Sequence, residues 1–261
     1  MTGETHTLGF GVTYDMVAAR TACGQLLTLT AHRGGDRIPP HRHANDYLCI
    51  VLDGGFAEQE GPRSHERVSG CRFTHRAGQT HHDRFGPRGA MCVNLHFPTG
   101  EPGPDSEGMC DPWLRVAAQR LALELAAGPR EELVLGALAV EIVGSLDPRS
   151  AYHRDRGPWL DQVIEAIADS PERRWSLREL ADVAGRHPVH VAQAFRARTG
   201  ISLGAFQRLR RVIAISIDLR SATGSLAMLA ADYGYCDQSH MTAEFTAAFG
   251  VSPGRYRREF H

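Results

Sequence analysis

The last hundred residues contain one helical pattern twice, and this internal repeat restricts the possible folds more than any other feature. The first copy covers residues 176–200 and the second covers residues 225–250. The two copies align without a gap up to Gly185 and Gly234, and the second copy then has one additional residue. The C-terminal part is therefore expected to form two similar units rather than one irregular bundle.

Each copy has the pattern of a helix, a tight turn and a second helix. Apolar residues recur at i, i+3, i+4 and i+7 in the first half, which indicates one buried face. They are Leu177, Leu180, Ala181 and Ala184 in the first copy and Leu226, Leu229, Ala230 and Tyr233 in the second. Ser176 and Ser225 stand at N-cap positions, and Gly185 and Gly234 stand where a helix exit requires positive φ. Each copy therefore predicts a helix-turn-helix motif.

The second helix of each copy carries small, polar and methyl-bearing side chains on its outward face. These residues are Val189, Ala192, Gln193 and Arg196 in the first copy and Ser239, Thr242, Ala243 and Thr246 in the second. Such side chains let a helix approach base edges, because Gln pairs with adenine, Arg pairs with guanine and methyl groups contact thymine. An ordinary helical bundle with a solvated face is the alternative, but it would not require a duplicated motif. The repeat therefore predicts double-stranded DNA as a partner.

A known family can be named on these residues. Residues 176–200, the segment YGYCDQSHMTAEF at 233–245 and the segment FGVSPGRYR at 249–257 resemble the DNA-binding domain of AraC/XylS-type transcription regulators. This resemblance implies the positions that read bases, and it makes RNA polymerase a second candidate partner in transcription activation. The implied base-reading residues are Val189, Ala192, Gln193, Arg196, Gln238, Ser239, Thr242 and Ala243.

A connector is predicted between the two copies. Residues 202–219 form one long helical pattern that is apolar on most sides, as suits a helix wedged between two small bundles. If it is rigid, it would hold both reading helices about 34 Å apart, so that they reach adjacent major grooves. The basic residues near this helix are candidates for phosphate contacts. They are Arg198, Arg208, Arg210 and Arg211.

The N-terminal hundred residues show short strands with frequent turns, which is typical of a small barrel or sandwich. We expect strands at residues 25–30, 47–52, 56–58 and 91–97. The expected turns lie at residues 53–55, Gly61-Pro62, Gly70, Ala77-Gly78 and Gly86-Pro87. Two helical stretches follow at 112–127 and 129–146. These helices contain more apolar residues than an isolated helix can bury. We therefore expect them to pack on the barrel, on each other or on a second copy of the chain.

Histidines are concentrated in this N-terminal part, where nine of the fourteen occur within the first 100 residues. The segments PPHRH at 39–43 and RAGQTHH at 76–82 resemble the metal-binding motifs of the cupin barrel. In those motifs, His-x-His, a carboxylate four residues later and a distant His hold a divalent metal. The corresponding residues are His41, His43, Tyr47 and His81, with Tyr47 in the place of the carboxylate.

Three interpretations of these four residues stay open. They supply the polar wall of a small-molecule effector pocket, or they hold a divalent metal, or the histidines are merely solvated or satisfied by neighbours. Three imidazoles suit zinc or nickel. The absence of the carboxylate, however, removes both a ligand and charge compensation for the ion. His96, with Cys92 and Asn94 on the same strand face, would join the pocket if that face is internal.

These patterns together predict an α+β chain of two domains. A cupin-like β-barrel that acts as sensor or effector domain spans residues 1–110, and a helical dimerisation or interface segment spans 111–147. A linker at 148–158 precedes an all-α DNA-binding domain at 159–261, in which a long helix joins two helix-turn-helix motifs.

The leading hypothesis is a sequence-specific DNA-binding transcription regulator, not an enzyme, that forms a homodimer. A ligand or metal in the barrel would modulate it, although the small-molecule effector is not identified. The competing hypothesis is a metal-dependent cupin oxygenase or isomerase with a DNA-binding appendage, which the histidines alone support. A dimer-forming scaffold is a third class.

The N-terminus has no signal-peptide pattern, and no run approaches the roughly 18 apolar residues of a membrane helix. We therefore expect a cytoplasmic protein without membrane contact. The formal net charge of −1 gives no indication of nucleic-acid binding.

Overall fold

The computed structural model describes residues 6–9, 13–22, 24–127, 132–147, 158–221 and 224–259. Within these residues one nine-stranded sheet precedes a helical region. The strands are β1 (His6–Leu8), β2 (Met16–Ala22), β3 (Gln25–His32), β4 (Arg37–His43), β5 (Tyr47–Glu60), β6 (Arg63–Val68), β7 (Cys71–His75), β8 (Thr80–His96) and β9 (Glu107–Met109). The helices are α1 (Pro112–Ala126), α2 (Glu132–Ser145), α3 (Pro158–Asp169), α4 (Leu177–Ala184), α5 (Pro188–Thr199), α6 (Leu203–Ser221), α7 (Leu226–Asp232), α8 (Gln238–Phe249) and α9 (Pro253–Glu259). Apart from Pro158, the expected linker lies outside the described residues.

Two long antiparallel strands, β5 and β8, form the centre of the sheet. On its other side β8 pairs with β4 along its first half and with β3 along its second half. In the same way β5 pairs with β7 along its first half and with β6 along its second half. The pairing among the described residues leaves the sheet open, so the closed barrel that we expected is not confirmed.

Glycines bend the two central strands instead of ending them. The turns expected at 53–55 and at Gly86-Pro87 are wrong, because β5 and β8 run through both positions. The pairing of β5 with β8 shifts register on either side of Asp53 and Gly54. Gly54 has φ +74°, and a Cβ there would lie 2.1 Å from the carbonyl oxygen of Gly89. The register shift identifies this position as a β-bulge, and the two backbones approach too closely there for a residue with a Cβ atom. The turns expected at Gly61-Pro62, Gly70 and Ala77-Gly78 are confirmed.

The bulge changes which residues face each side of the sheet. Before the bulge, odd-numbered residues of β5 such as Tyr47 and Cys49 belong to one buried cluster. After the bulge, the even-numbered Phe56 belongs to the same cluster. The same change occurs in β8, where Phe85 and then Cys92 face that cluster. A one-residue irregularity moves all following side chains to the opposite face. The other side of the sheet packs on the helices.

The first two helices cover the sheet. Helix α1 buries Leu114, Leu121 and Leu125 against the sheet and neighbouring helices, as its apolar load predicted. Asp111 caps it by accepting from the backbone N–H groups of residues 113 and 114. Helix α2 packs on α1 but leaves Leu133 and Val140 77% and 61% exposed on its outer side. The expected packing of these helices on the sheet and on each other is therefore present.

Both helix-turn-helix units form as the repeat predicted. Ser176 and Glu179 make the reciprocal hydrogen bonds of a capping box at the start of α4, and Ser225 caps α7. Gly185 and Gly234 have φ +58° and +67°, as required at the ends of these helices. Val191 and Phe195 of α5 are fully buried, and so are the equivalent Met241 and Phe245 of α8. No helix in the described part of the chain is long and apolar enough to cross a bilayer.

The connector helix α6 is buried on nearly all sides for a reason that the sequence did not show. Residues 209–217 are all buried. Besides its contacts with α3, α5, α8 and α9, α6 packs directly against β3, β5 and β8. The connector therefore joins the N-terminal sheet to the two helix-turn-helix units.

Candidate functional site

The outward face of α5 is accessible. Val189 is 53% exposed, Gln193 and Arg196 are exposed and Ala192 is half-buried, while the opposite face of the helix fills the core. Pro188 begins the helix, and the guanidinium at Arg196 stands in its last turn. This arrangement leaves an amide, a guanidinium and small apolar groups for base contacts. Their individual roles stay predictions.

The equivalent face of α8 is also accessible but carries no cation. Gln238, Ser239 and Ala243 are exposed, and Thr242 is half-buried. The Thr246 hydroxyl donates to the carbonyl oxygen of Thr242. The Asp237 side chain caps the helix by accepting from the backbone N–H of residue 240. This face would therefore read bases through amide, hydroxyl and methyl groups.

A polar network stands beside the start of α8. The exposed Cys236 thiol lies 3.2 Å from His240 Nδ1, and His240 Nε2 lies 3.3 Å from a Glu244 carboxylate oxygen. The Tyr235 hydroxyl donates to the second oxygen of Glu244 over 2.8 Å. Burial and Glu244 raise the pKa of Tyr235 above its ordinary range. The network therefore connects the turn that precedes α8 to the first turns of that helix.

Two of the four arginines predicted to contact phosphate do not have free side chains. Arg210 and Arg211 are 2% and 4% exposed, and they donate to the carbonyl oxygens of Ala168 and Pro171 respectively. The prediction of phosphate contacts at these two positions is thus corrected, because their guanidinium groups hold α6 in the core. Arg208 is exposed, and Arg198 is half-buried over the ring of Trp113.

Charged residues join the sheet to α6. Asp53, at the β5 bulge, lies 3.5 Å from the Arg210 guanidinium and 3.8 Å from that of Arg88. Arg88 also lies 3.3 Å from Asp218 of α6, which accepts a 2.7 Å hydrogen bond from the hydroxyl of Tyr233. Burial lowers the pKa of Arg210, although Asp53 acts in the opposite direction. The bulge is therefore linked to the connector between the two reading units.

Helix α1 makes a second link to the reading units. It contacts both α5 and α8. Arg120 of α1 donates to the carbonyl oxygen of Thr199, at the end of α5, over 2.8 Å. Helix α1 is therefore in contact with the second helix of both helix-turn-helix units.

The four predicted residues of the N-terminal site come together inside the sheet. His41 and His81 are paired across β4 and β8, and the ring nitrogens of His41, His43 and His81 lie within 4.8 Å of one another. The Tyr47 hydroxyl is 3.4 Å from His43 Nε2. All four side chains are buried. Their burial excludes the interpretation in which these histidines are simply solvated.

Sequence reasoning missed two members of this cluster, Glu58 and His75. Both are buried, and their ligand atoms lie within 4.8 Å of those of His81. His75 could have been found, because Cys71, Phe73 and His75 alternate along one buried strand face. Glu58 could not have been found in this way. The bulge at Gly54 reverses the alternation of side chains between the two faces of β5, so the start of the strand does not predict which face Glu58 occupies.

The cluster has an unusual electrostatic environment. Burial and the neighbouring His75 lower the pKa of His81 to about 2, and burial with His43 lowers that of His75 well below its ordinary value. Burial together with the Glu58 carboxylate raises the pKa of Asp83, which lines the same cavity. His75 and His81 are therefore neutral at pH 7, and each has a lone pair on one ring nitrogen.

The cavity beside the cluster is small, about 50 Å³. Pockets for drug-sized ligands have volumes of roughly 300–1,000 Å³, whereas a single water needs about 10–15 Å³. His96 is fully buried and hydrogen-bonds Thr28, while Cys92 and Asn94 line the cavity, so that strand face is internal. In this conformation the cavity accommodates an ion or a few waters but no organic effector of ordinary size.

Comparison with known proteins finds similarity in the C-terminal region. A family profile described as a helix-turn-helix domain matches residues 180–259. The multiple antibiotic resistance protein MarA of Escherichia coli K12 is 30% identical over 98 residues, which are 38% of this chain and 77% of MarA. The RCS-specific HTH-type transcriptional activator RclR of the same organism is 32% identical over 101 residues, 38% of this chain and 35% of RclR. Among solved structures, ToxT from Vibrio cholerae O395 aligns over 90% of this chain and 98% of its own, with 9% identity and a TM-score of 0.39.

Proposed function

The chain belongs to the AraC/XylS family of DNA-binding transcription regulators, and we propose that it reads two neighbouring major-groove segments with α5 and α8. The observation that carries this proposal is the accessible outward face on both second helices, opposite buried faces that fix their orientation. Relatives such as RclR are described as transcriptional regulators, so we infer that the chain is a regulator and not an enzyme. Its place of action would be the cytoplasm, on double-stranded DNA, with RNA polymerase as a second partner.

The two reading helices would contribute unequally to specificity. Arg196 and Gln193 offer α5 a bidentate contact to guanine and one to adenine, and each good bidentate pair discriminates by about 1–3 kcal/mol. The α8 face, with Gln238, Ser239 and Thr242, has only neutral donors and acceptors. The first box of the DNA site would therefore be read more strictly than the second.

The N-terminal sheet would control this binding through α6 and α1. Asp53 and Arg88 of the sheet contact Arg210 and Asp218 of α6, and Arg120 of α1 contacts the end of α5. A ligand that changes the curvature of β5 and β8 would act on these contacts. Such a ligand must bind two states of the protein with different affinity for the coupling to exist.

A homodimer through α2 is the remaining part of the proposal. Leu133, Val134, Ala137 and Val140 recur at helical spacing and are all exposed, which gives α2 an apolar outer stripe. Exposed apolar patches of this kind mark interaction surfaces. Sedimentation analysis of Leu133→Glu combined with Val140→Glu should show monomer where the unaltered chain shows dimer. An unchanged dimer would place the interface elsewhere.

The direct test of the reading face is the double variant Gln193→Ala, Arg196→Ala. It should lose preference for the bound DNA site over a scrambled duplex in gel-shift titrations, while circular dichroism stays unchanged. The matched control is Gln59→Ala, Arg63→Ala, which removes the same two side-chain types from the β5–β6 hairpin. If the first variant keeps full sequence preference, the assignment of the α5 face is wrong.

A further inference from the structure

The buried cluster inside the sheet contains a ligand set that includes a carboxylate. We propose that Glu58, His75 and His81 bind one zinc ion between β5, β7 and β8. This site goes beyond DNA recognition and does not depend on it. It also differs from the set expected at the outset, because the carboxylate comes from Glu58 after the β5 bulge and not from the position of Tyr47.

The distances in the cluster suit a metal. In tetrahedral zinc sites the metal–nitrogen and metal–oxygen distances are about 2.0–2.2 Å, so two ligand atoms lie about 3.3 Å apart. Glu58 Oε1 and His75 Nδ1 are 3.5 Å apart, and all three ligand atoms lie within 4.8 Å of one another. Small side-chain rotations would therefore bring His81 into the coordination sphere without moving the strands.

The two histidine donors are buried beside Glu58. Imidazole coordinates zinc through the lone pair of a ring nitrogen, and His75 and His81 are 5% and 2% exposed. Among the described residues, His81 Nδ1 is buried without a hydrogen-bond partner. A buried polar atom left unsatisfied costs about 1–3 kcal/mol. An ion in the cluster would relieve this cost.

A further set of contacts orients the carboxylate. Arg67 Nε donates to Glu58 Oε2 over 2.7 Å, and its guanidinium also bonds Glu107 and stacks on the ring of Phe73 at 3.9 Å. This leaves Oε1 directed at His75. Outer contacts of this kind fix ligand orientation in metal sites. The arrangement favours Glu58, His75 and His81 over the three-histidine set, in which the Tyr47 hydroxyl already faces His43 Nε2.

The types of ligand atom and the size of the adjoining cavity determine which ion fits the site. Two imidazoles and one carboxylate with an open fourth position form a known zinc coordination pattern. The cavity of about 50 Å³ adjoins the cluster at His75 and has room for a coordinating water. Asp83 lines the same cavity.

The test uses the full chain without an affinity tag, stripped with a chelator and titrated with zinc sulfate against a chromogenic chelator. Unaltered protein and Tyr47→Phe, the control within the same cavity, should each bind one equivalent, measured also by elemental analysis. Glu58→Gln and His75→Ala should each weaken binding at least tenfold. His43→Ala should keep one equivalent. Absence of binding by the unaltered protein, or unchanged affinity in both Glu58→Gln and His75→Ala, would overturn the proposal.

A second variant separates loss of a ligand from loss of folding. His75→Cys replaces one zinc donor with another, so it should still bind one equivalent of cobalt(II) in place of zinc. It should add a thiolate-to-cobalt charge-transfer band that the unaltered protein lacks. If His75→Cys binds cobalt without that band, residue 75 is not a ligand and the proposed site is wrong.

Discussion

Buried histidines make the interior of the N-terminal sheet sensitive to acid. His96 is fully buried beside Thr28, Asn45 and Tyr47, and burial lowers its pKa to about 4. In the unfolded chain its pKa is about 6.5. Between these values the unfolded state binds the additional proton. The stability that depends on neutral His96 is therefore complete above pH 6.5 and is lost as the pH falls toward 4.

The substitution His96→Gln should make the protein less sensitive to acid. Glutamine keeps a polar group near Thr28 but does not titrate. The depressed pKa corresponds to about 3 kcal/mol. The free energy of unfolding of the unaltered protein should thus fall by about this amount more than that of the variant between pH 6.5 and pH 4. Urea unfolding at several pH values measures the difference, with the exposed His187→Gln as control. Parallel pH profiles for unaltered protein and His96→Gln would contradict the argument.

At single residues, sequence patterns predicted the surface better than the interior. The outward positions Val189, Gln193 and Arg196 followed from helical periodicity alone, and their exposure is confirmed. Arg210 looked like a surface cation, because nothing in the pattern of α6 shows that a sheet packs against it. Long-range packing of this kind leaves no local signal.

Among the elements, β5 and β8 depend most on particular glycines. A residue larger than glycine at position 54 would place its Cβ 2.1 Å from the Gly89 carbonyl oxygen and would also adopt φ +74°. Gly54→Ala should therefore destabilise the protein by at least about 2 kcal/mol in urea unfolding. The control Gly61→Ala has φ +54° but open space around its Cβ, so it should cost only about 1 kcal/mol. Equal effects would show that the close approach does not matter.

The helices were easier to predict than the strands for a physical reason. Caps and helical periodicity are local, so Ser176, Gly185 and Ser225 marked the ends of α4 and the start of α7 correctly. A glycine in a strand pattern fits a hairpin turn and a bulge equally well until the partner strand is known. The turn predicted at 53–55 is wrong for this reason. Because the bulge was not predicted, the face of β5 that Glu58 occupies could not be predicted either.

At the scale of the whole molecule, the sheet and the DNA-binding region are joined by a buried ion pair. Asp53→Ala would leave the Arg210 guanidinium buried without its carboxylate partner, and breaking such a pair costs about 3–5 kcal/mol. We expect a loss of about 3 kcal/mol in the free energy of unfolding. The control is Asp105→Ala, where a fully exposed carboxylate pairs with Arg76, and it should have no measurable effect. Equal stability of both variants would show that Asp53 does not join the sheet to α6.

The central claim, that one chain reads two neighbouring segments of duplex, is tested most directly by selecting bound sequences from a random DNA pool with the full chain. We predict a motif of two boxes whose centres are about 10.5 base pairs apart. Repeating the selection with Arg196→Ala should relax one box and leave the other unchanged. A motif with a single box, or a pool without enrichment, would contradict it.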